Sequence, residues 1–314
     1  MQNLTSAIDE NGIATITWDM QEQSMNVFSE ASTEQYIELI DQLCDDENVR
    51  GILITSAKPE FIAGADIKMI EAMAAKVSNL PKVEAAKHVF DKVYRVQTAF
   101  RKLEKCGKPV ASALSGLALG GGFEAALATH YRVVANDDKI KLGLPESKLG
   151  IMPGWGGTQR VVRLVGVMTA APIILEGRLI SPQKALKSGL IHETCEPGQE
   201  IEIAKAWIMK HLEEGDQLRA SRATGDKKIT GSFEAPWDQK GFKLPGGDVY
   251  SAAGFPIFMG ASAMVRKSTY GLYESQKAIL SAVYEGVQVP MDAALKIEVR
   301  YFTKLMCGPQ ARNM

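Results

Sequence analysis

Three consecutive glycines, Gly120-Gly121-Gly122, stand between the apolar run Pro109–Leu114 and a helix-forming stretch that opens with Phe123-Glu124. Glycine loses more backbone freedom on folding than any other residue, so three in a row at a strand-to-helix junction need a compensating reason. A backbone that turns sharply and exposes N–H groups at the first turn of a helix is such a reason, because it offers donors and a favourable dipole to an oxyanion. The feature constrains the chain to a strand feeding directly into a helix, with an acid, Glu124, at the start of that helix.

The flanking sequence repeats this alternation. Leu4–Asp9 and Ile13–Trp18 border Glu10-Asn11-Gly12, whose Asn-Gly step predicts a hairpin. An amphipathic helix is expected from a Ser29 N-cap to about Leu43. Gly51–Thr55, Pro109–Leu114 and Tyr131–Ala135 read as buried strands, separated by helices at roughly 83–104 and 122–129. That is the pattern of a layered α/β domain rather than a β-sandwich. After Ile151 shorter helices are expected at about 155–165, 168–176 and 182–187, then a longer one at 199–214. Between Gly215 and Gly254 the composition turns to Gly, Pro, Lys and Asp, and helical patterns return at 256–285 and 290–306. The expected organisation is a main domain over 1–215, a loop-rich linker over 216–255 and a helical appendage over 256–314.

Charge and cysteine usage remove several classes of function. Lys plus Arg number 36 and Asp plus Glu 37, so nothing favours bulk attraction to nucleic acid or to an acidic membrane. Cys44, Cys106, Cys195 and Cys307 are widely spaced, with no zinc-like pattern, and read as reduced thiols of an intracellular protein. No apolar stretch reaches ~18 residues without a charge, and no signal peptide is indicated, so the expected compartment is the cytoplasm.

Three segments concentrate chemistry-bearing residues. In Phe61-Ile62-Ala63-Gly64-Ala65-Asp66-Ile67-Lys68 the small residues let the backbone approach a ligand, and a helix starts near Asp66; an ordinary tight β–α turn would look the same. Glu124 is either a proton carrier beside the glycine turn or a residue placed to suit the helix dipole. Glu146, after Pro145 and amid apolar residues, is a carboxyl whose burial would raise its pKa and let it hold or give a proton. His88, His130, His192 and His211 are dispersed and lack a metal-binding pattern; no metal site is expected. Ser115 is not in a nucleophile elbow, and no GxGxxG fingerprint is present, so no NAD site is expected.

Taken together, Ile62–Ile67, Gly116–Glu124, Leu144-Pro145-Glu146, Gly150–Gly154 and Gly156–Arg160 resemble the crotonase (enoyl-CoA hydratase/isomerase) family in order and spacing, over about residues 5–215. The resemblance implies an α/β crotonase-like spiral of ββα units with a C-terminal helical region, acting on acyl-CoA thioesters. It implies that the backbone N–H groups of Ala65 and Gly121 form an oxyanion hole. It places Ala63, Gly64, Asp66 and Ile67 at bound coenzyme A, which is part of the substrate and not a separate cofactor. Glu124 and Glu146 fall on the positions that hydratases of the family use as an acid/base pair, Glu124 activating water and Glu146 protonating C2. Hydration of 2-trans-enoyl-CoA to 3-hydroxyacyl-CoA is the implied reaction, with Δ3-Δ2 enoyl-CoA isomerisation through Glu146 as a second.

Residues 237–310 further resemble the linker helices of multifunctional fatty-acid β-oxidation α subunits, in which a 3-hydroxyacyl-CoA dehydrogenase domain follows. The chain stops at Met314 before any such motif and reads as the amino-terminal part of a longer enzyme or as a short relative. A thiolase β subunit and self-association are the partners implied for the longer enzyme. The competing reading is a CoA-thioester-binding or assembly module of such a complex, without activity of its own.

Overall fold

A computed structural model describes residues 3–225, 230–269 and 274–308. In chain order its strands are β1 (Leu4–Ile8), β2 (Ile13–Trp18), β3 (Gly51–Ser56), β4 (Val110–Leu114), β5 (Ala118–Leu119), β6 (Tyr131–Ala135), β7 (Leu142–Gly143) and β8 (Glu193–Cys195). The helices are α1 (Glu30–Asp45), α2 (Ile67–Ser78), α3 (Lys82–Lys105), α4 (Gly121–Leu127), α5 (Gly157–Ile174), α6 (Pro182–Ser188), α7 (Glu200–Ala223), α8 (Gly254–Thr269), α9 (Glu274–Gly286) and α10 (Met291–Met306). They form two compact units, each drawn from three stretches of sequence. The first takes Met1–Gly64, Thr98–Leu142 and Ile180–Phe242, and the second Ala65–Gln97, Gly143–Leu179 and Lys243–Met314.

The first unit is built on a six-stranded sheet of order β1-β2-β3-β4-β6-β8. Only the β1–β2 pair is antiparallel, as the Asn-Gly step predicts; Asp9 Oδ1 accepts the N–H groups of Asn11 (3.1 Å) and Ile13 (3.0 Å) and so fixes the turn. The other pairs are parallel, which requires apolar residues on both faces, and β4 and β6 are buried throughout. Helix α7 lays Ala204, Ile208 and Leu212 against Ile13, Leu53, Ala111 and Val133 of the sheet. A second apolar cluster joins Trp18, Phe28 and Tyr36, with ring centroids 4.7 and 5.3 Å from that of Trp18. Ser29 caps α1 reciprocally with Ser32, as its position before the apolar period predicts.

One local expectation needs correction. Helix α7 does not end near 214 but continues to Ala223, because Gly215 is a close-packing residue and not a breaker. A Cβ there would lie 2.9 Å from Pro109 Cδ and 3.1 Å from the Gly107 carbonyl. The helical appendage expected at 256–285 and 290–306, as two or three helices, is described as α8, α9 and α10, with residues 270–273 outside the described part. His130 is a structural core histidine. Its Nδ1 accepts the Val110 N–H (3.1 Å), so Nε2 carries the proton to the Glu104 carbonyl (2.9 Å), and burial holds the ring neutral.

In the second unit α9 and α10 pack on one another and on α5. Helix α5 breaks at Gly166 (φ 75°, ψ 164°), which is why its sequence reads as two helices. Two of its buried polar residues face α9: the Arg163 guanidinium donates to the carbonyls of Gly286 (2.8 Å) and Val289 (3.1 Å), and Gln159 Nε2 to that of Ala282 (2.9 Å). These bonds tie α5 to the last turns of α9 and to Val289 just beyond it. Among the described residues no helix is long and apolar enough to cross a membrane.

The sheet–α7 contact carries a direct stability prediction. Ile208 is fully buried in it, whereas Ile201 on the same helix is 42% exposed. Ile208→Ala is expected to cost about 2–5 kcal/mol, and Ile201→Ala no more than about 0.5 kcal/mol, both read from urea unfolding midpoints.

Candidate active site

The Ile62 segment and the glycine turn, distant in sequence, are built against one another in the first unit. Ile62 and Ala118 form a parallel bridge, and the carbonyl of Ile62 accepts the Leu119 N–H (3.1 Å). Gly122 sits so close to Ile62 that a Cβ would lie 2.2 Å from the Ile62 carbonyl oxygen, so no other residue fits there. Gly120, at φ 50° and ψ −129°, occupies backbone space that side chains exclude, and it starts α4 without a side-chain cap. Gly121 is therefore the first residue of α4, where a helix offers N–H groups without internal acceptors. Glu124 lies on the first turn of α4 and is 2% exposed.

Asn26 holds the Ile62 segment in place. Fully buried, it donates from Nδ2 to the carbonyls of Trp18 (3.2 Å) and Phe61 (3.2 Å) and to Ser56 Oγ (2.9 Å), while Oδ1 accepts the Met20 N–H (3.0 Å). The Ala63 N–H donates to its carbonyl (2.8 Å), and the Phe28 N–H donates to that of Gly64 (2.8 Å). Ala63 and Gly64 are thus fixed by their backbones, and Gly64, at φ 101°, leaves room for the Leu119 carbonyl, which an added Cβ would approach to 3.1 Å.

Ala65, Asp66 and Ile67 begin the second unit. Asp66 is the N-cap of α2, its Oδ1 accepting the Lys68 N–H (2.9 Å), and Ile67 is 60% exposed. Of this segment's neighbours in sequence, Lys68 is exposed, whereas Lys58 is half-buried and donates from Nζ to the Gln23 carbonyl. Glu146 follows Pro145 on a 3-10 turn, Pro145–Leu149, that closes at Gly150 in the left-handed region (φ 74°). Its Oε2 is sealed from solvent and has no hydrogen-bond partner. Burial first, and then the charge of Glu298, push this carboxyl up to about 8; its own backbone N–H acts in the opposite sense. Glu298, on α10, is itself fully buried. It accepts the N–H groups of Gly156 (2.6 Å) and Thr158 (3.0 Å), the Thr158 hydroxyl, and Gln97 Nε2 (2.9 Å). Among the described residues no group of His, Cys, Asp and Glu is arranged to hold a metal ion.

The site residues therefore divide between the units. Ala63, Gly64, Gly121 and Glu124 belong to the first, and Ala65, Asp66, Ile67 and Glu146 to the second.

Comparison with known proteins gives this arrangement a family. The enoyl-CoA hydratase/isomerase family matches residues 9–230, the greater part of the chain. The chain belongs to the enoyl-CoA hydratase/isomerase family. It is 34% identical to a fatty acid oxidation complex subunit alpha of Idiomarina loihiensis over 313 residues, covering 99% of this chain and 40% of that protein. It is 32% identical to the same subunit of Vibrio campbellii over 311 residues, 98% of this chain and 39% of that protein. The chain spans about two fifths of the length of the curated relatives it matches. A solved enoyl-CoA hydratase structure from Geobacillus kaustophilus shares the fold, with TM-score 0.60 and 23% identity, covering 91% of this chain and 94% of that one. The expected crotonase-like α/β architecture with C-terminal helices is thereby borne out.

Within this enoyl-CoA hydratase/isomerase family member, two polar residues central to the site were not singled out from the sequence. Asn26 gives almost no signal, since a lone Asn in Ser24–Ser29 looks like a loop residue. Glu298 does give one. Met291, Ala294, Leu295, Glu298 and Val299 follow one helical period, so a charge occupies an otherwise apolar, buried stripe.

Two predictions follow from these contacts. Gly122→Ala is expected to lower the thermal unfolding temperature far more than Gly260→Ala, whose added methyl meets nothing within 4 Å; the overpacking cost at Gly122 is about 1–3 kcal/mol or more. Glu146 ionises near its ordinary 4.5 when unfolded but near about 8 when folded, so folding takes up a proton between these values. Stability should fall as pH rises through that window, and Glu146→Gln should remove this component. Urea midpoints of both proteins across the window check it, and parallel curves would contradict the assignment.

Proposed function

We propose that this chain is an enoyl-CoA hydratase, adding water across 2-trans-enoyl-CoA to give 3-hydroxyacyl-CoA in fatty-acid β-oxidation. The observation that carries the reading is Glu146: a carboxyl on a family motif, with Oε2 sealed and unpartnered, that keeps its proton at neutral pH. Hydration needs such an acid. As water oxygen bonds to C3, the C2–C3 π pair moves toward the thioester and negative charge grows on its oxygen. The pair returns to C2 as C2 takes a proton.

In this reading Glu146 gives the proton to C2, and Glu124 takes one from the attacking water. The two carboxyls then return to their starting states by passing one proton back through solvent. The N–H of Gly121, at the start of α4, and that of Ala65 stabilise the thioester oxygen; losing one such donor typically costs ~10²–10³ in rate. Ala63, Gly64, Asp66 and Ile67 meet the coenzyme A part of the substrate, where small and backbone-fixed residues allow close approach. The names of the full-length relatives support the pathway. A thiolase β subunit remains a proposed partner on the same ground.

Δ3-Δ2 isomerisation would start from the ionised form of Glu146, the minority form at neutral pH, which takes a proton from C2 and returns it at C4. Loss of the 2-enoyl thioester absorbance on mixing crotonyl-CoA, or longer 2-enoyl-CoA thioesters, with the protein tests the hydratase reading. No loss at any chain length would leave the assembly-module reading in its place. Glu146→Gln should reduce hydration by at least ~10². Glu124→Ala should weaken hydration strongly and spare isomerisation; equal loss of both would reject the division of roles.

A further inference from the structure

The C-terminal ends of α1 and α3 are tied together within the first unit, and the ties straddle two cysteines. Lys102, in the last turn of α3, donates from Nζ to Asp41 Oδ1 (2.9 Å) and Asp45 Oδ2 (2.8 Å) of α1. Lys108, buried just past α3, donates from Nζ to the carbonyls of Leu43 and Asp46, both at 2.7 Å. Cys106 lies between the two lysines in sequence, and Cys44 lies among their acceptors, between Leu43 and Asp45. The ties bring the two thiols together: their side chains are hydrogen-bonded to one another, and neither is in a disulfide.

The two sulfurs have unequal surroundings. Cys44 is buried in the last turn of α1, whereas Cys106 is half-buried and reaches solvent. The carbonyls on either side of Cys106 are held by arginines of α7: that of Lys105 accepts from Arg222 Nη1 (3.0 Å), and that of Gly107 from Arg219 Nη1 (3.3 Å). Both arginines also pair with carboxylates, Arg219 with Asp216 and Arg222 with Glu234, whereas Lys108 Nζ bonds to carbonyls. The S–H donated by Cys44, the backbone N–H of Lys108 and the charges of Lys108 and Arg219 lower the Cys106 thiol against its burial. The same pairing, with burial, raises Cys44. The thiolate is the nucleophilic form of cysteine, so Cys106 is the sulfur placed to react first. The Leu103 carbonyl, 3.3 Å from Cys106 Sγ, accepts from the neutral thiol and is released on ionisation.

We propose that Cys44 and Cys106 form a reversible dithiol/disulfide site, in which Cys106 attacks a hydroperoxide and Cys44 resolves the product. In the first step the Cys106 thiolate bonds to one peroxide oxygen and the O–O bond breaks. The departing alkoxide or hydroxide takes up the proton that Cys106 gave to solvent, leaving a sulfenic acid. In the second step the Cys44 sulfur, losing its proton, bonds to Cys106 Sγ, and the S–O bond breaks to release water. Two electrons pass from the sulfur pair to the peroxide, and a thiol reductant reverses the change. The site does not depend on the hydratase reading.

The test treats the reduced full chain with hydrogen peroxide, blocks the remaining thiols by alkylation under denaturing conditions, and reads the peptides by mass spectrometry. The expected product is a peptide pair joined through Cys44 and Cys106 within one chain and lost on dithiothreitol treatment. Cys195, whose thiol burial pushes up to about 11, should still be alkylated. In the native, reduced protein iodoacetamide should label Cys106 at least ~10-fold faster than Cys44. Cys106→Ser should leave Cys44 unoxidised, and Cys44→Ser should let Cys106 pass from the sulfenic to the sulfinic acid. If a variant does not fold, the linked peptide and the labelling order of the unsubstituted protein still decide. Peroxide that leaves both thiols alkylatable, or that joins copies of the chain to one another on a non-reducing gel instead, overturns the proposal. Faster labelling of Cys44 than of Cys106 overturns the order of attack.

Discussion

The contact between the Ile62 carbonyl and Gly122 is the constraint around which the first half of the site is arranged. A distance that excludes a methyl group forces the chain after β5 to start α4 at Gly121, and this places Glu124 on the first turn. The same carbonyl also accepts from Leu119, so the segment and the turn are tied by both shape and hydrogen bonding. Asn26 supports the arrangement from the other side. Its buried amide satisfies three backbone groups from two separate stretches, which an apolar residue could not do without leaving them unpaired. The sheet beneath supplies the rigid base, since its inner parallel strands β3, β4 and β6 are buried and packed by α7.

Electrostatics in the second unit follow a different logic, in which two buried carboxyls are given unequal surroundings. Glu298 receives donors from a loop, a side-chain amide and a hydroxyl, and Glu146 is denied them at Oε2. Burial, with no donor at Oε2, raises the Glu146 carboxyl, so its ionisation costs stability as pH rises.

Much of the α/β architecture was legible from local pattern. The Asn-Gly hairpin, the Ser29 cap, the buried strands and the interruption near Gly166 each follow from turn chemistry, capping or hydrophobic period. Errors arose where a residue's usual local meaning was overridden by a neighbour distant in sequence. Gly215 reads as a helix breaker, yet it serves the approach of α7 to Pro109 and Gly107. Asn26 reads as a loop residue, yet its amide is buried among backbone groups up to 35 positions away. The Ile62–Ile67 and Gly120–Glu124 motifs were individually ambiguous between turn and site; only the set of motifs in order indicated the family.

By itself the sequence determined the strand–helix alternation, the three-glycine turn with its acid, and membership of a family that handles CoA thioesters. Those properties reside in residue type and short-range spacing, which a linear chain displays directly. Tertiary structure alone decided that Gly122 is irreplaceable because of Ile62, that burial raises the Glu146 carboxyl, and that Glu298 is buried among donors from Gly156, Thr158 and Gln97. Burial, donor supply and the field of a second carboxylate are set by atoms far apart in the sequence, so they exist only once the chain has folded.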